Sequence, residues 1–519
     1  MRNQYLRSIL WIALAVQVAR IMSVSSFDRE TPFLSANDRS RWCTVAALVE
    51  DRSFAIDRVI EIRDRHGKRP WYSIDMVQHL GSDGTLHYYS SKPPLLSVLY
   101  ACVYQVIYSA TGMKITEQPF YVGRIILLVV NLVPLAILWW AFTRWIDRTV
   151  RGGWCQVTLM NVLVWGTFLT TFATTLNNHL PAAVAVGSSM LLWLKWSSND
   201  SLRWWSVAML GLLTSFGAAC ELPALSWVGM LALLILLRRG IPMVVVYALS
   251  TIPIAFAFFA TNYAAHGEFQ PAYAHRGLGP QIASYPKAPT EADQPTVEQA
   301  RSQLVKDNMT VGPNAVIVPA RFADAWSLWD DENNLRWTIT SSGERWQVHQ
   351  SGDWYDYPKS YWRDENRRGV DRGEKSRIVY TFHLLVGHHG IFSLTPFWIV
   401  ACMGAWSLRR TTDQDEKILG LAICVTTLVC MVFYLMRPEI DRNYGGVSCT
   451  FRWLIWLTPA WLILSKPGLT WIRKRPWARR LTEASIAVSI FSAVYPWNNP
   501  WVHPWLFNWW SFLQWINYP

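Results

Sequence analysis

The chain has 519 residues, of which 51% are hydrophobic and 16% are charged, and its formal net charge is +12. Soluble domains carry about 25% charged residues, so this composition excludes an ordinary soluble protein. An excess of positive charge would suggest a nucleic-acid partner in a soluble protein, but these Lys and Arg residues stand in short loops between apolar runs. We interpret them as topology signals and as contacts to anionic lipid, and we expect no nucleic-acid partner.

Apolar runs long enough to cross a bilayer, which requires about 20 residues, recur along the chain. The first run follows Arg2 and Arg7 and contains Arg20, and no clear small-x-small cleavage site comes after it. This pattern favours an uncleaved first span over a signal peptide. The predicted spans are 7–25, 121–143, 153–175, 180–197, 204–220, 222–237, 241–261, 390–408, 416–436, 452–466 and 481–498.

The apolar run 94–111 must be accepted or rejected as a further span, because it reverses the orientation of everything after it. Basic residues in short loops mark the cytoplasmic side. They follow alternate runs from 121–143 onward: Arg144, Arg148, Arg151, Lys195, Arg203, Arg238, Arg239, Arg409, Arg410, Lys417, Lys466, Arg473, Lys474, Arg475, Arg479 and Arg480. With the N-terminus also cytoplasmic, 94–111 cannot span and is predicted to lie in or dip into the outer interface.

The sequence therefore predicts an all-α polytopic membrane protein of about eleven spans, with interfacial helices in the first outer loop and a small mixed domain in a later one. We expect a location in the cytoplasmic or inner membrane, a cytoplasmic N-terminus and a site facing the periplasm or cell exterior. The predicted domains are 1–262 with the outer loop 26–120, the outer-loop domain 263–389, the helices 390–498, and a Trp-rich interfacial tail 499–519. Within the loop domain, Leu335–Thr340 and Glu344–His349 alternate around Ser342 and Gly343, which predicts a β-hairpin.

The first outer loop contains Asp38 shortly after the first span. The apolar spacing after Trp42 predicts an amphipathic helix on the membrane surface, with Asp38 near its N-cap. Two interpretations of Asp38 stay open at this point. It could only cap the helix, or it could act as a general base on an acceptor held near a lipid headgroup.

The same loop ends in Tyr88-Tyr89-Ser90-Ser91-Lys92-Pro93-Pro94-Leu95, where the two prolines fit the start of a helix. Lys92 could anchor that helix at the interface, or it could neutralise a phosphate leaving group. The residue pattern leaves both roles open.

Other polar residues fall on the predicted outer side. Asn178, His179 and Glu221 stand at the outer ends of spans, where an acid is costly in apolar surroundings and a functional role is the default; a tight turn or a solvated turn is the alternative. His389 precedes the span at 390 and Arg452 begins another; each could contact a phosphate or only anchor the interface. Between them, Tyr444 precedes Gly445 and Gly446, which allow close backbone approach to a ligand.

These elements resemble the GT-C class of membrane glycosyltransferases, in the branch of protein O-mannosyltransferases and lipid A aminoarabinose transferases. In that branch the first outer loop carries Asp-Glu-x-Arg-Tyr, and this chain reads Asp38-Arg39-Ser40-Arg41-Trp42. The aspartate and the arginine match, whereas Arg39 replaces the second acid and Trp42 the tyrosine. The Lys-Pro-Pro-Leu element matches from Lys92 onward.

The resemblance implies a hexosyl- or pentosyltransferase of cell-envelope glycan biosynthesis that uses a sugar on a polyprenyl phosphate, with Asp38 as general base. The acceptor would be a glycan, a lipid or a protein. The implied donor-phosphate ligands are Lys92, Arg41, Arg452 and His389, and the implied substrate contacts are Tyr89, Asn178, His179, Glu221 and Tyr444. A divalent metal is possible in the class and no metal motif appears here. The alternatives are a transporter or flippase, or a polymerase or ligase, for lipid-linked glycans, and a non-catalytic scaffold.

Overall fold

The computed structural model describes residues 2–198, 202–287, 294–305, 308–322 and 324–518. The chain forms two compact units. The larger unit comprises Met1–Leu34, Val106–Ala257 and Arg368–Pro519, and the smaller unit comprises Ser35–Gln105 and Phe258–Arg367. The predicted first outer loop and the predicted loop domain thus contribute the two parts of one smaller unit.

Within the described residues, helices form most of the chain. They are α1 (Arg2–Ser23), α2 (Ala36–Glu50), α3 (Asp57–Ile60), α4 (Pro94–Thr111), α5 (Pro119–Leu127), α6 (Val133–Thr149), α7 (Gly153–Trp165), α8 (Leu169–Phe172), α9 (His179–Ser198), α10 (Trp204–Cys220), α11 (Leu225–Arg239), α12 (Ile241–His266), α13 (Val297–Leu304), α14 (Arg377–Leu385), α15 (Ile391–Leu394), α16 (Trp398–Ser407), α17 (Gln414–Leu435), α18 (Thr458–Ile472), α19 (Pro476–Val494) and α20 (Trp505–Phe512). The strands are β1 (Met76–Leu80), β2 (Leu86–Ser90), β3 (Arg276–Pro286), β4 (Val316–Pro319), β5 (Ala325–Asp330), β6 (Leu335–Ser342) and β7 (Arg345–Asp353).

Seven helical stretches among the described residues are long and apolar enough to cross a membrane. They are Gln4–Ser23, Pro94–Thr111, Pro119–Thr149, Gly153–Phe172, Leu222–Arg239, Ile241–His266 and Gln414–Leu435, and Trp204–Cys220 is a shorter apolar helix. Such a set of helices is typical of a multi-pass membrane protein. The total of eleven spans stays a prediction, and so does the interfacial placement of 94–111, which length and composition alone would accept as a span.

Each predicted span is largely helical, but not every span is one continuous helix: 153–175 is divided into α7 and α8, and 390–408 is interrupted for a clear reason. The run 390–408 is divided into α15 and α16 by Thr395–Phe397. Pro396 lacks a backbone N–H and disfavours helical backbone at Thr395, whose ψ is 70°. The apolar composition predicted the length of this run correctly. The single proline is the reason that the run is not one continuous helix.

Close backbone contact between helices in the larger unit depends on small residues. At Gly404 of α16, an added Cβ would lie 1.7 Å from the carbonyl oxygen of Leu464 in α18, and at Gly468 it would lie 2.4 Å from that of Val400. Helices that lack a hydrophobic driving force between them are held by this kind of close packing.

The smaller unit is built on a five-stranded antiparallel sheet in the order β3-β7-β6-β5-β4 and a separate β1-β2 hairpin. Strands β6 and β7 pair with Ser342 opposite Arg345, so the predicted hairpin is confirmed. Alternate residues of these strands face a core in which Ile339, Trp346 and Val348 are buried. Because Trp346 fills this core, it is not an exposed platform for sugar.

Helix α2 corrects one expectation. Nine of its residues, Asp38 and Ser40 to Ala47, are buried, so the helix is enclosed within the smaller unit. The predicted amphipathic pattern, with one face exposed, is therefore wrong, whereas the placement of α2 near the membrane surface stays a prediction. Ser40 and Thr44 are buried together with the apolar residues of the helix, so burial does not follow one apolar face.

Candidate functional site

Asp38 lies in a capping box at the start of α2. The side chain of the N-cap residue Ser35 accepts from the backbone N–H of Asp38 at 3.3 Å, and Asp38 Oδ1 accepts from the backbone N–H of Ser35 at 2.7 Å. This reciprocal arrangement satisfies two N–H groups that the first helical turn leaves without partners. Asp38 is fully buried. The capping interpretation is thus confirmed, and it fixes the carboxyl group in one orientation.

Lys92 forms an ion pair that the sequence analysis missed. Its Nζ lies 3.1 Å from Oδ1 of Asp75, and the two side chains are 21% and 10% exposed. A partly buried ammonium group is costly unless it is compensated, and Asp75 supplies that compensation. Asp75 directly precedes β1 and Lys92 lies two residues after β2, so the pairing of the β1–β2 hairpin brings the two side chains together.

Two serine bridges join the start of α2 to the segments around this ion pair. The hydroxyl of Ser73 donates to a backbone carbonyl in the first turn of α2 at 2.6 Å and accepts from the N–H of Asp75 at 3.1 Å. The hydroxyl of Ser90 donates to that of Ser40 at 3.1 Å and accepts from the N–H of Lys92 at 3.3 Å. The structure therefore brings the helix that contains Asp38 and the segment with Lys92 into one polar network.

The other predicted contacts of this loop are engaged within the fold. Arg41 is 3% exposed, and its guanidinium donates to the carbonyl oxygen of Asn37 at 3.1 Å and to the side-chain oxygen of the same residue. The ring of Tyr89 stacks on that of His79 with centroids 4.2 Å apart. Both residues are held in place by neighbours, and their predicted ligand contacts stay predictions.

His79 is the centre of a ring stack that the sequence analysis also missed. It lies between Tyr89 and Trp354, whose centroid is 4.1 Å away, and Trp354 in turn stacks on His275 at 3.5 Å. Nε2 of His79 is 3.0 Å from Nδ1 of His266. Burial lowers the pKa of His79 to about 4, so the imidazole is neutral at pH 7.

In the larger unit, three predicted residues come together. Glu221 follows α10, and its Oε1 accepts from Nδ2 of Asn178 at 2.6 Å and from Nδ1 of His179, the first residue of α9. Glu221 and His179 are buried, with 6% and 2% exposure. The proposed solvated turn at Glu221 is therefore wrong, because neighbouring side chains replace water around the carboxylate.

His389 and Tyr444 also meet within the larger unit. Their rings stack with centroids 5.1 Å apart, and Nδ1 of His389 is 2.5 Å from Nδ1 of His388. The hydroxyl of Tyr444 donates to Glu374 at 3.4 Å. Burial and neighbouring histidines lower the pKa of His389 well below its ordinary value. A neutral imidazole can offer a phosphate a hydrogen bond but no charge, so the predicted phosphate contact would lack ion pairing.

Arg452 explains the paired glycines of the preceding loop. Its guanidinium lies 4.8 Å from the ring centroid of Trp501. An added Cβ at Gly445, where φ is 90°, would lie 3.2 Å from Cγ of Arg452. The missing side chain at Gly445 therefore makes room for the side chain of Arg452. Gly445 also adopts a left-handed backbone conformation that other residues rarely adopt.

Within the described ranges, no group of three or more His, Cys, Asp or Glu side chains is placed to hold a metal ion. The polar side chains found here offer hydrogen bonds, one partly buried ammonium group and buried carboxylates. Such an arrangement can move a proton and neutralise a developing negative charge.

No protein-family model matches the chain, and no curated protein matches it. Two solved structures are similar to it. The archaeal oligosaccharyltransferase AglB from Archaeoglobus fulgidus, in complex with an inhibitory peptide and a dolichol-phosphate, is 11% identical with a TM-score of 0.47, over 98% of this chain and 57% of that one. The apo form of the Archaeoglobus fulgidus oligosaccharyltransferase is 12% identical with a TM-score of 0.45, over 98% and 58%. This chain thus spans less than two thirds of the length of those proteins.

Proposed function

We propose that this chain is a membrane glycosyltransferase that moves a sugar from a polyprenyl-phosphate donor to an acceptor on the non-cytoplasmic face. The observation that carries the proposal is the polar network of the smaller unit. It joins the helix of Asp38 to the segment of Lys92, the two residues that the family resemblance singles out. Their shared network supports a common task.

In the proposed reaction, an acceptor hydroxyl or amine attacks the anomeric carbon of the donor sugar. Asp38 takes the proton of the attacking group as the new bond forms. The bond between the anomeric carbon and the phosphate oxygen breaks, and its electron pair leaves with the phosphate. Lys92 neutralises the charge that develops on that oxygen. Asp75 holds the ammonium group in position at 3.1 Å until the phosphate arrives.

Two substitutions separate the proposed base from the helix cap. Asp38→Asn keeps an oxygen that can accept from Ser35 but removes the base, so we expect a loss of sugar transfer of about a hundredfold or more with unchanged thermal stability. Ser35→Ala removes the cap and leaves the carboxylate, so we expect a stability loss of about 1 kcal/mol with transfer retained. Transfer from a polyprenyl-phosphate sugar by the reconstituted protein is the measurement. Full transfer activity of Asp38→Asn would contradict the proposal.

A second candidate function is translocation of a lipid-linked glycan. The buried Glu221–His179 pair and Arg20 favour it, because ionisable groups within membrane helices often mark transport pathways. Arg20 is 4% exposed in the last turn of α1 and donates to the carbonyl oxygens of Thr170 and Trp497. Lipid translocation without sugar transfer in a reconstituted assay would favour this candidate. A polymerase or ligase would instead lengthen the glycan on the acceptor.

A further inference from the structure

Four basic side chains gather at one end of the larger unit; Arg151 and Arg479 are exposed, and Arg473 and Arg475 are partly buried. Arg151 lies between α6 and α7, and Arg473, Arg475 and Arg479 lie at the junction of α18 and α19. In the part of the chain that the structure describes, none of these four forms an ion pair. Charges that remain unneutralised together repel one another, so an anionic partner would stabilise this surface.

Two of these residues join the separate segments into one surface, which we call the basic surface (Arg151, Arg473, Arg475 and Arg479). Nη1 of Arg473 donates to the carbonyl oxygen of Arg151 at 3.1 Å. The guanidinium of Arg479 lies 5.0 Å from the ring centroid of Trp154, at the start of α7. The basic surface is therefore a built contact between two loops, whereas a topology signal needs no such contact.

Apolar side chains border the basic surface. The guanidinium of Arg475 lies 3.8 Å from the ring centroid of Trp471, and its Nη1 donates to the carbonyl oxygen of the same residue at 2.9 Å, so the group is held in place and its other nitrogens keep N–H donors. Trp477 is 60% exposed and Leu481 is 64% exposed on the first turns of α19. Exposed apolar groups beside a cluster of guanidinium groups suit a ligand with an anionic head and hydrocarbon chains, and they do not suit free phosphate or nucleic acid.

We propose that the basic surface is a binding site for the phosphate headgroup of an anionic phospholipid. Guanidinium groups pair with phosphate oxygens in bidentate fashion, and the acyl chains then lie along Trp477 and Leu481. The site is independent of sugar transfer, so its failure would not affect the proposed function.

The test compares two sets of three arginines, all from loops predicted to be cytoplasmic. Arg473→Gln, Arg475→Gln and Arg479→Gln together remove the proposed site. The matched control is Arg144→Gln, Arg409→Gln and Arg410→Gln. In the control set, Arg144 and Arg409 also stack on tryptophans, Trp140 and Trp406, and no described carboxylate pairs with the three.

The measurement is native mass spectrometry of protein released from nanodiscs of phosphatidylcholine with a minor fraction of phosphatidylglycerol. Each cationic side chain is expected to strengthen the binding of phosphatidylglycerol about fivefold. The variant with the three site arginines replaced should therefore bind this lipid about a hundredfold more weakly than the wild type. The control variant should bind it as tightly as the wild type. Equal losses in both triples would show general attraction to a charged surface and overturn the site. Unchanged retention in the site triple would overturn it as well.

A third variant covers the case in which the glutamine triple does not insert. Arg473→Lys, Arg475→Lys and Arg479→Lys together preserve every topology signal but lose bidentate pairing, so we expect retention about fivefold weaker than wild type. Retention equal to that of the wild type in this variant would contradict a guanidinium site.

Discussion

The polar groups of the smaller unit and those of the larger unit are satisfied in different ways. In the smaller unit, the side chain of Lys92 is 21% exposed and pairs with Asp75, and serine hydroxyls link both segments to α2. In the larger unit, His389 and Tyr444 are fully buried and His179 is 2% exposed. The first arrangement leaves the ammonium group of Lys92 partly exposed, whereas the second encloses imidazole rings, a phenol ring and one carboxylate. Asp38 is also fully buried, so it is the partly exposed charge of Lys92 that leads us to expect chemistry from the smaller unit and stability from the polar clusters of the larger unit.

The largest expected effect is on Lys92. Lys92→Met removes the proposed phosphate contact, and we expect transfer to fall about a hundredfold, mostly in kcat. Asp75→Asn removes the ion pair but keeps the ammonium group, so it should reduce transfer far less. The measurement is steady-state transfer by both variants in proteoliposomes. Equal losses would mean that the pair is only structural.

An intermediate effect is expected at Glu221. Glu221→Gln weakens the bonds to Asn178 and His179, so we expect a loss of about 2 kcal/mol in unfolding free energy with kcat retained. The measurements are the thermal unfolding of the variant in detergent and its kcat in the transfer assay. If kcat falls while stability is unchanged, the division of tasks between the two units is wrong and transport or catalysis must be assigned to this pair.

A smaller effect concerns pH. The pKa of His79 is about 4 when folded and 6.5 when unfolded. Because the unfolded state binds the proton more tightly, His79 contributes stability that is fully present above pH 6.5 and is lost as the pH falls toward 4. Between pH 7 and pH 5 the loss should be about 2 kcal/mol. His79→Phe keeps the ring stack and should lose this part of the pH dependence. An unchanged pH dependence in His79→Phe would contradict the neutral buried imidazole.

The sequence predicted the features that depend on residues close together in the chain. Apolar length located the helices, strand alternation located the β6–β7 hairpin, and the helix after Asp38 was predicted with that residue near its N-cap. Each of these follows from side-chain pattern or backbone geometry within one element.

The features that the sequence did not predict depend on distant contacts. Asp75 meets Lys92 and His79 meets Trp354 only because the fold brings their segments together. The environment of α2 was predicted wrongly for the same reason, since its apolar spacing does not show what packs against the polar positions. The convergence of Asn178, His179 and Glu221 was suggested only by their common placement at span ends, and the fold supplies the contact.

Mass spectrometry of membrane lipids and glycans from cells that lack the protein tests the glycosyltransferase claim most directly. The cells would be complemented with the wild-type chain or with Asp38→Asn. We predict that the deletion and the Asp38→Asn strain both accumulate a polyprenyl-phosphate sugar and lack the same sugar on one acceptor, while the wild-type chain restores it. An identical glycan and lipid profile in all strains, or full restoration by Asp38→Asn, would contradict the account.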